Sequence, residues 1–147
     1  MNEKPEPFKL YKANKNNTGA ALQLDLNTYK KAVFLDCAKQ KAERVFDWDN
    51  KLTMKLSIQD ISKILSVLEN KVGTTKLFHQ PSKGEYENTK NVKNNVLEIT
   101  KSQYGYSMRV SQQNTEGVSA IMITINIEES ILISILLKRA VKKICGW

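Results

Sequence analysis

Between Lys51 and Asn70 the chain reads KLTMKLSIQDISKILSVLEN, and its hydrophobic period changes halfway along. Leu52, Met54 and Leu56 alternate with Lys51, Thr53 and Lys55, the period of two that turns one face of a strand inward. From Ile58 the apolar residues fall at Ile58, Ile61, Ile64, Leu65 and Leu68, the spacing of one helix face. Ser57, with Asp60 three residues on, makes a capping box in which Asp stands for the usual Glu. The helix is predicted to end near Asn70, before Gly73.

Strand signals lie on both sides of this stretch. Toward the N-terminus, Phe8 to Tyr11 can open a strand, and Asn14 to Thr18 is a polar turn. Gly19 to Leu26 and Lys31 to Ala38 alternate as strands, with a turn at Asn27-Thr28. On the second, Val33, Leu35 and Cys37 face one way, and Ala32, Phe34, Asp36 and Ala38 the other. Lys39 to Lys41 reads as a charged turn. Arg44 to Trp48 reads as a short strand, closed by a tight hairpin at Asp49-Asn50.

After Gly73, strands are predicted over Thr74 to His79, Val92 to Lys101, Tyr104 to Gln112 and Val118 to Ile125. A long polar loop spans Pro81 to Asn91. A last helix begins near Ile127, with Asn126 and Glu129 as its capping box and Lys138, Arg139, Lys142 and Lys143 at its negative end. Its middle, Ile131 to Leu137, is apolar on almost every side, which calls for a second partner surface, another subunit. The pattern is four strands and a helix, twice over (ββββαββββα). The fold class is α+β: two antiparallel sheets packed together, with two helices held to one end.

The chain has 147 residues, enough for one domain with a moderate core. A net charge of +8 favours capture of polyanions. Two cysteines, Cys37 and Cys145, and one histidine, His79, make neither a disulfide framework nor a zinc site. Both cysteines read as small buried hydrophobes. Met1 to Pro7 has neither the apolar core of a signal peptide nor the character of a transit peptide. No apolar run approaches the roughly 20 residues of a membrane span. The expected setting is intracellular and reducing, cytoplasmic or nucleoid-associated. No nucleophile with a base, paired carboxylates, phosphate loop or metal-ligand set is legible. An enzyme is not expected, nor a cofactor, a metal, a small-molecule substrate or a membrane partner.

From Gly19 to Trp147 the sequence resembles the Whirly family of single-stranded DNA-binding proteins. The anchors are Phe46-Asp47-Trp48, Lys51 to Ile64, Phe78-His79-Gln80-Pro81 with Lys83-Gly84, and the terminal Gly146-Trp147. Their order and spacing carry the resemblance, since no one of them is diagnostic. It implies two near-perpendicular four-stranded sheets, a homotetramer held by the helices, and single-stranded DNA running along the sheets and between subunits. It implies sequence-tolerant binding in replication, recombination or repair. Residues 1–8 are then a flexible N-terminus and 9–147 one nucleic-acid-binding domain. Two alternatives share the architecture: an RNA-binding, annealing protein, and a transcriptional regulator on a melted promoter element. In one place the sequence departs from the family. Asn17-Thr18-Gly19-Ala20-Ala21-Leu22 stands where the family carries Lys-Gly-Lys-Ala-Ala-Leu, so both lysines are lost.

Sequence-tolerant single-strand binding needs cations along the phosphates and flat side chains against the bases. The candidate cations are Lys12, Lys15, Lys31, Arg44, Lys51, Lys55, Lys76, Lys83 and Arg109, and Thr18 joins them from the altered motif. Phe34, an aromatic on a mixed strand face, either stacks on a base or packs in the core. Phe46 and Trp48 share a face, where Trp48 either locks the hairpin or touches a base. Tyr104 and Tyr106 are read as core. Of Phe78 and His79, which point to opposite faces, His79 is favoured as the one facing solvent or DNA, with Lys83 behind it. With two lysines lost, the emphasis falls on Phe34, Arg44, Trp48, Lys51 and His79. Ile131, Leu132, Ile135, Leu136 and Trp147 are the candidate subunit interface.

Overall fold

A computed structural model describes residues 5–82, 84–86 and 91–147. Its elements run β1 (Phe8–Lys12), β2 (Ala20–Asn27), β3 (Ala32–Ala42), β4 (Val45–Phe46), β5 (Leu52–Leu56) and α1 (Ile58–Leu68). They continue β6 (Thr74–His79), β7 (Val92–Ser102), β8 (Gly105–Asn114), β9 (Gly117–Asn126) and α2 (Ile127–Cys145). Two antiparallel sheets, each followed by a helix, form an α+β fold.

In the first sheet β3 is central. It pairs with β2 through Leu35↔Leu24 and with β5 through Leu35↔Met54, while β1 borders β2 through Leu10↔Leu22. The second sheet is a meander in the order β6-β7-β8-β9. Alternation turns Leu22, Leu35 and Met54 of the first sheet inward, with Leu97, Val110 and Ile123 of the second, onto Ile61 and Val67 of α1 and Ile133 and Leu137 of α2. Each such side chain contributes about 1.5–3 kcal/mol by leaving water. Both predicted capping boxes form: Ser57 with Asp60, and Asn126 with Glu129. Two polar bridges cross the core. The Asn95 amide donates to the Thr53 carbonyl at 3.2 Å, and the Tyr106 hydroxyl to the Leu68 carbonyl at 3.2 Å.

Several expectations are corrected. Lys39 to Lys41 is no turn, because β3 continues to Ala42 and its far end pairs with β4. Gln40 is the reason. It is buried, and its side-chain oxygen accepts from the Asn14 and Gly19 amides at 2.9 and 3.1 Å, while its nitrogen donates to the Asn14 and Ala42 carbonyls. It thus ties the β1–β2 loop to the sheet. The tight hairpin at Asp49-Asn50 is not formed either. Trp48–Asn50 is a 3₁₀ turn, β4 and β5 both pair with β3, and the first sheet has five strands instead of four. Tyr104 is 77% exposed, because it lies in the turn before β8 and not in the strand itself. A Cβ on Gly105 would lie 2.2 Å from the Ile125 carbonyl oxygen. Cys37 is buried, and burial, then the Asp36 charge, pushes its thiol up to about 12. Cys145 is exposed at the end of α2, not buried.

The altered motif at Asn17 to Leu22 has a structural counterpart. Asn17 accepts from the Gln40 amide, and a Cβ on Gly19 would lie 2.0 Å from the Lys12 carbonyl oxygen. A lysine at position 19 therefore has no room in this loop.

Candidate nucleic-acid interface

The face of the first sheet turned away from the core carries the side chains that alternate with it. Asp25, Phe34 and Lys55 form one row across β2, β3 and β5, and Gln23, Asp36 and Thr53 form the next. Asp36 is only 5% exposed. A buried carboxylate is costly unless paired, and this one has three partners. The Thr53 hydroxyl donates at 2.6 Å, the Lys51 ammonium lies at 3.4 Å, and the Gln23 amide approaches at 3.4 Å. Lys51 and Gln23 are held against the sheet by that carboxylate.

Beside this row stands Phe34. The Lys30 ammonium lies 5.6 Å from its ring centre, and the Tyr86 ring meets it edge-on at 5.5 Å. Tyr86 reaches over from the β6–β7 connection, and the buried Asn95 amide approaches its hydroxyl at 3.4 Å. Burial foremost raises the Tyr86 pKa above its ordinary value. A cleft of about 350 Å³ opens here, lined by Asp25, Lys30, Phe34, Asp36, Lys51 and Tyr86 among others. It adjoins a second of about 550 Å³, whose walls include Lys30, Lys31, Lys55, Phe78, His79 and Tyr86. Lys30 and Tyr86 belong to both, so the two make one groove.

His79 enters the groove from the end of β6, and its Nε2 lies 3.0 Å from Asp60 Oδ2. The same oxygen accepts from the Ser57 amide at 2.9 Å, closing the cap of α1. Burial pushes the Asp60 carboxyl up, but the His79 hydrogen bond and charge, with the Ser57 bonds, outweigh it and hold it below the usual aspartate value.

Of the residues singled out in the sequence, the groove gathers Lys31, Phe34, Lys51, Lys55 and His79. The others lie elsewhere. Lys12 is ion-paired at 2.7 Å with Glu129 of the α2 cap. Lys15 and Thr18 are exposed in the β1–β2 loop, and Arg44 in the turn between β3 and β4. Phe46 is buried against Ala21 and Ala38, with half-buried Trp48 beside it and the Tyr11 ring at 5.5 Å. Lys76 and Arg109 flank Glu98 across the outer face of the second sheet. Lys83 lies outside the described residues. Phe78 and His79 both line the groove, Phe78 58% exposed and His79 half-buried on Asp60.

Lys30 and Tyr86 were not singled out from the sequence. Lys30 adjoins Lys31 in the β2–β3 turn, and an aromatic in an otherwise polar loop was the signal for Tyr86. Among the described residues no helix is long and apolar enough to cross a membrane. No group of His, Cys, Asp and Glu among them is arranged to hold a metal ion.

The sequence model of the family described as "Whirly transcription factor" matches residues 14–136. The chain belongs to the Whirly family. Solved Whirly structures share its fold. The plant transcriptional regulator PBF-2 is 21% identical with a TM-score of 0.73, over 97% of this chain and 83% of its own. WHY3 from Arabidopsis thaliana is 19% identical with a TM-score of 0.76, over 100% of this chain and 92% of its own. A guide-RNA-binding protein complex, solved with its RNA, has the same fold at 15% identity and a TM-score of 0.71, over 97% and 94%. No curated protein sequence matches the chain significantly.

In this Whirly protein the depressed Asp60 pKa sets a pH-dependent contribution to stability. A carboxylate whose folded pKa lies below its unfolded one stabilises above the unfolded value and loses that contribution as pH falls through the folded one. Asp60→Asn is therefore expected to destabilise the protein at neutral pH. The difference from the native chain should close as pH falls below about 3.9, the ordinary aspartate value, in urea unfolding followed by circular dichroism.

Proposed function

We propose that this Whirly protein binds single-stranded nucleic acid, DNA before RNA, along the groove on the outer face of its first sheet. One observation carries the reading: an aromatic ring, Phe34, stands in a groove whose walls include Lys30, Lys31, Lys51 and Lys55. That pairing of stacking surface with cations is what sequence-tolerant binding of a single strand requires. Family membership and the net charge of +8 support it. The activity assigned is binding, in the handling of exposed strands during replication, recombination or repair. RNA binding is the second reading, favoured by the fold shared with the guide-RNA-binding complex.

Equal-length single-stranded DNA, RNA and duplex should be compared by fluorescence anisotropy at several salt concentrations. Single-stranded DNA is expected to bind most tightly, with a log–log salt slope of about −3 if all four lysines meet phosphate. Phe34→Ala should weaken binding roughly tenfold or more, the scale of one lost base stack. A duplex preference or a flat salt response contradicts the reading, and a marked RNA preference replaces DNA with RNA.

Assembly belongs to the same proposal. Helix α2 buries Ile133, Leu137, Ala140 and Ile144 in its own chain, yet exposes Ile131, Leu132, Ile135 and Leu136. Trp147 is 96% exposed just beyond the helix. A second apolar stripe on a helix already docked by its first fits an interface between copies, and we assign it to a homotetramer. Light scattering at micromolar concentration should give four subunits for the native chain and fewer for Ile135→Glu. A native monomer overturns the assignment.

A further inference from the structure

The outer face of the first sheet extends beyond the Phe34 groove, toward β1. Three rows of side chains cross it. Asp25, Phe34 and Lys55 form the first. Lys9, Gln23, Asp36 and Thr53 form the second, and Tyr11, Ala21 and Ala38 the third. The third row is built to carry rings. Ala21 and Ala38 are small, and the Phe46 ring packs on both, with Trp48 against the same cluster. The Tyr11 ring lies 5.5 Å from that of Phe46, tilted by 42°, and Tyr11 remains 53% exposed. Tyr29 and Trp147 are more exposed, but Tyr29 lies in a turn and Trp147 beyond α2. Tyr11 is the ring that stands on a sheet and is backed by another ring. Its position is fixed before any ligand arrives, which lowers the cost of laying a base on it.

We propose that Tyr11 is a second base platform, and that one strand runs along β3 from Phe34 to Tyr11. The proposal rests on the single-strand binding proposed above. Phe34 and Ala38 are four residues apart on β3, about 13 Å at the rise of a strand. Strand β1 lies two places to the side of β3, about 10 Å away. The two rings therefore stand about 16 Å apart on one face, a span that a few nucleotides cover. The row between them is polar, as a path for phosphates requires. Lys9 is exposed at its β1 end, and the charge of Asp36 is met by Lys51 at 3.4 Å. A cation between two rings is the arrangement that holds a backbone while its bases stack. Every base has a flat face, so this second platform accepts any of them.

The test uses the full chain and one oligothymidine, followed by fluorescence anisotropy at several salt concentrations. Tyr11→Ala and Tyr11→Leu are expected to weaken binding roughly tenfold, the scale of one lost stack. Tyr11→Phe should bind as the native chain does. Leucine still covers Phe46, so its effect separates stacking from packing. Tyr11→Ala combined with Phe34→Ala should lose roughly a hundredfold, because well-separated contacts add. Tyr11→Ala should leave the log–log salt slope unchanged, whereas Lys9→Ala should make it shallower by about 1. Light scattering on Tyr11→Ala should give the native subunit number. Native affinity in Tyr11→Ala or Tyr11→Leu overturns the second platform and leaves the Phe34 groove standing. So does a loss in Tyr11→Phe as large as that in Tyr11→Ala, or a double variant no weaker than Phe34→Ala. An unchanged salt slope in Lys9→Ala overturns the path between the rings. A smaller assembly in Tyr11→Ala assigns the ring to a subunit contact and overturns the proposal as well. Failure of the native chain to bind the strand overturns both this proposal and the binding it rests on.

Discussion

A negative charge buried on the middle strand of the first sheet organises the surface that carries Phe34 and the lysines around it. Asp36 could not be 5% exposed without partners. Meeting that requirement fixes Thr53, Lys51 and Gln23 around it. The opposite face of β3 is held as firmly, since Val33, Leu35 and Cys37 are packed in the core. The strand is thus buried on both sides, by apolar contact on one and by a polar network on the other. Phe34, one step along the outer face, inherits a rigid floor, and an aromatic ring on a rigid floor is preorganised to stack.

The two working surfaces of the chain are built from different elements. The groove belongs to β2, β3, β5, the end of β6 and Tyr86, whereas the exposed apolar stripe belongs to α2. The β1–β2 loop serves neither the groove nor the stripe. There Gln40 and the lack of room at Gly19 replace the lysines that the family motif would supply. The loop is bound to the first sheet by hydrogen bonds, and its loss of charge is consistent with a binding face centred on Phe34.

Much of the fold was legible because its signals are local. The change of period after Leu56, the two capping boxes and the alternation in β8 and β9 all correspond to observed elements. The doubly apolar α2 was legible too, since one helix cannot bury Ile133 and Ile135 in the same place. What escaped depends on contacts distant in sequence. Lys39-Gln40-Lys41 looks like a charged turn until Gln40 meets the β1–β2 loop, more than twenty residues away. Phe46, a candidate strand contact beside Trp48 in the sequence, is enclosed by Tyr11, Ala21 and Ala38. Tyr86 could be placed only by a loop crossing to the other sheet, and the Asp60–His79 pair only by the approach of β6 to α1. Binding sites assembled from several strands are least visible to a reading that goes one segment at a time.

If the outer face of the first sheet holds the strand, a crystal structure of the protein with oligothymidine will show bases against Phe34 and phosphates near Lys30, Lys31, Lys51 or Lys55. A strand lying instead on the outer face of the second sheet, beside Lys76 and Arg109, with the Phe34 groove empty, would contradict it.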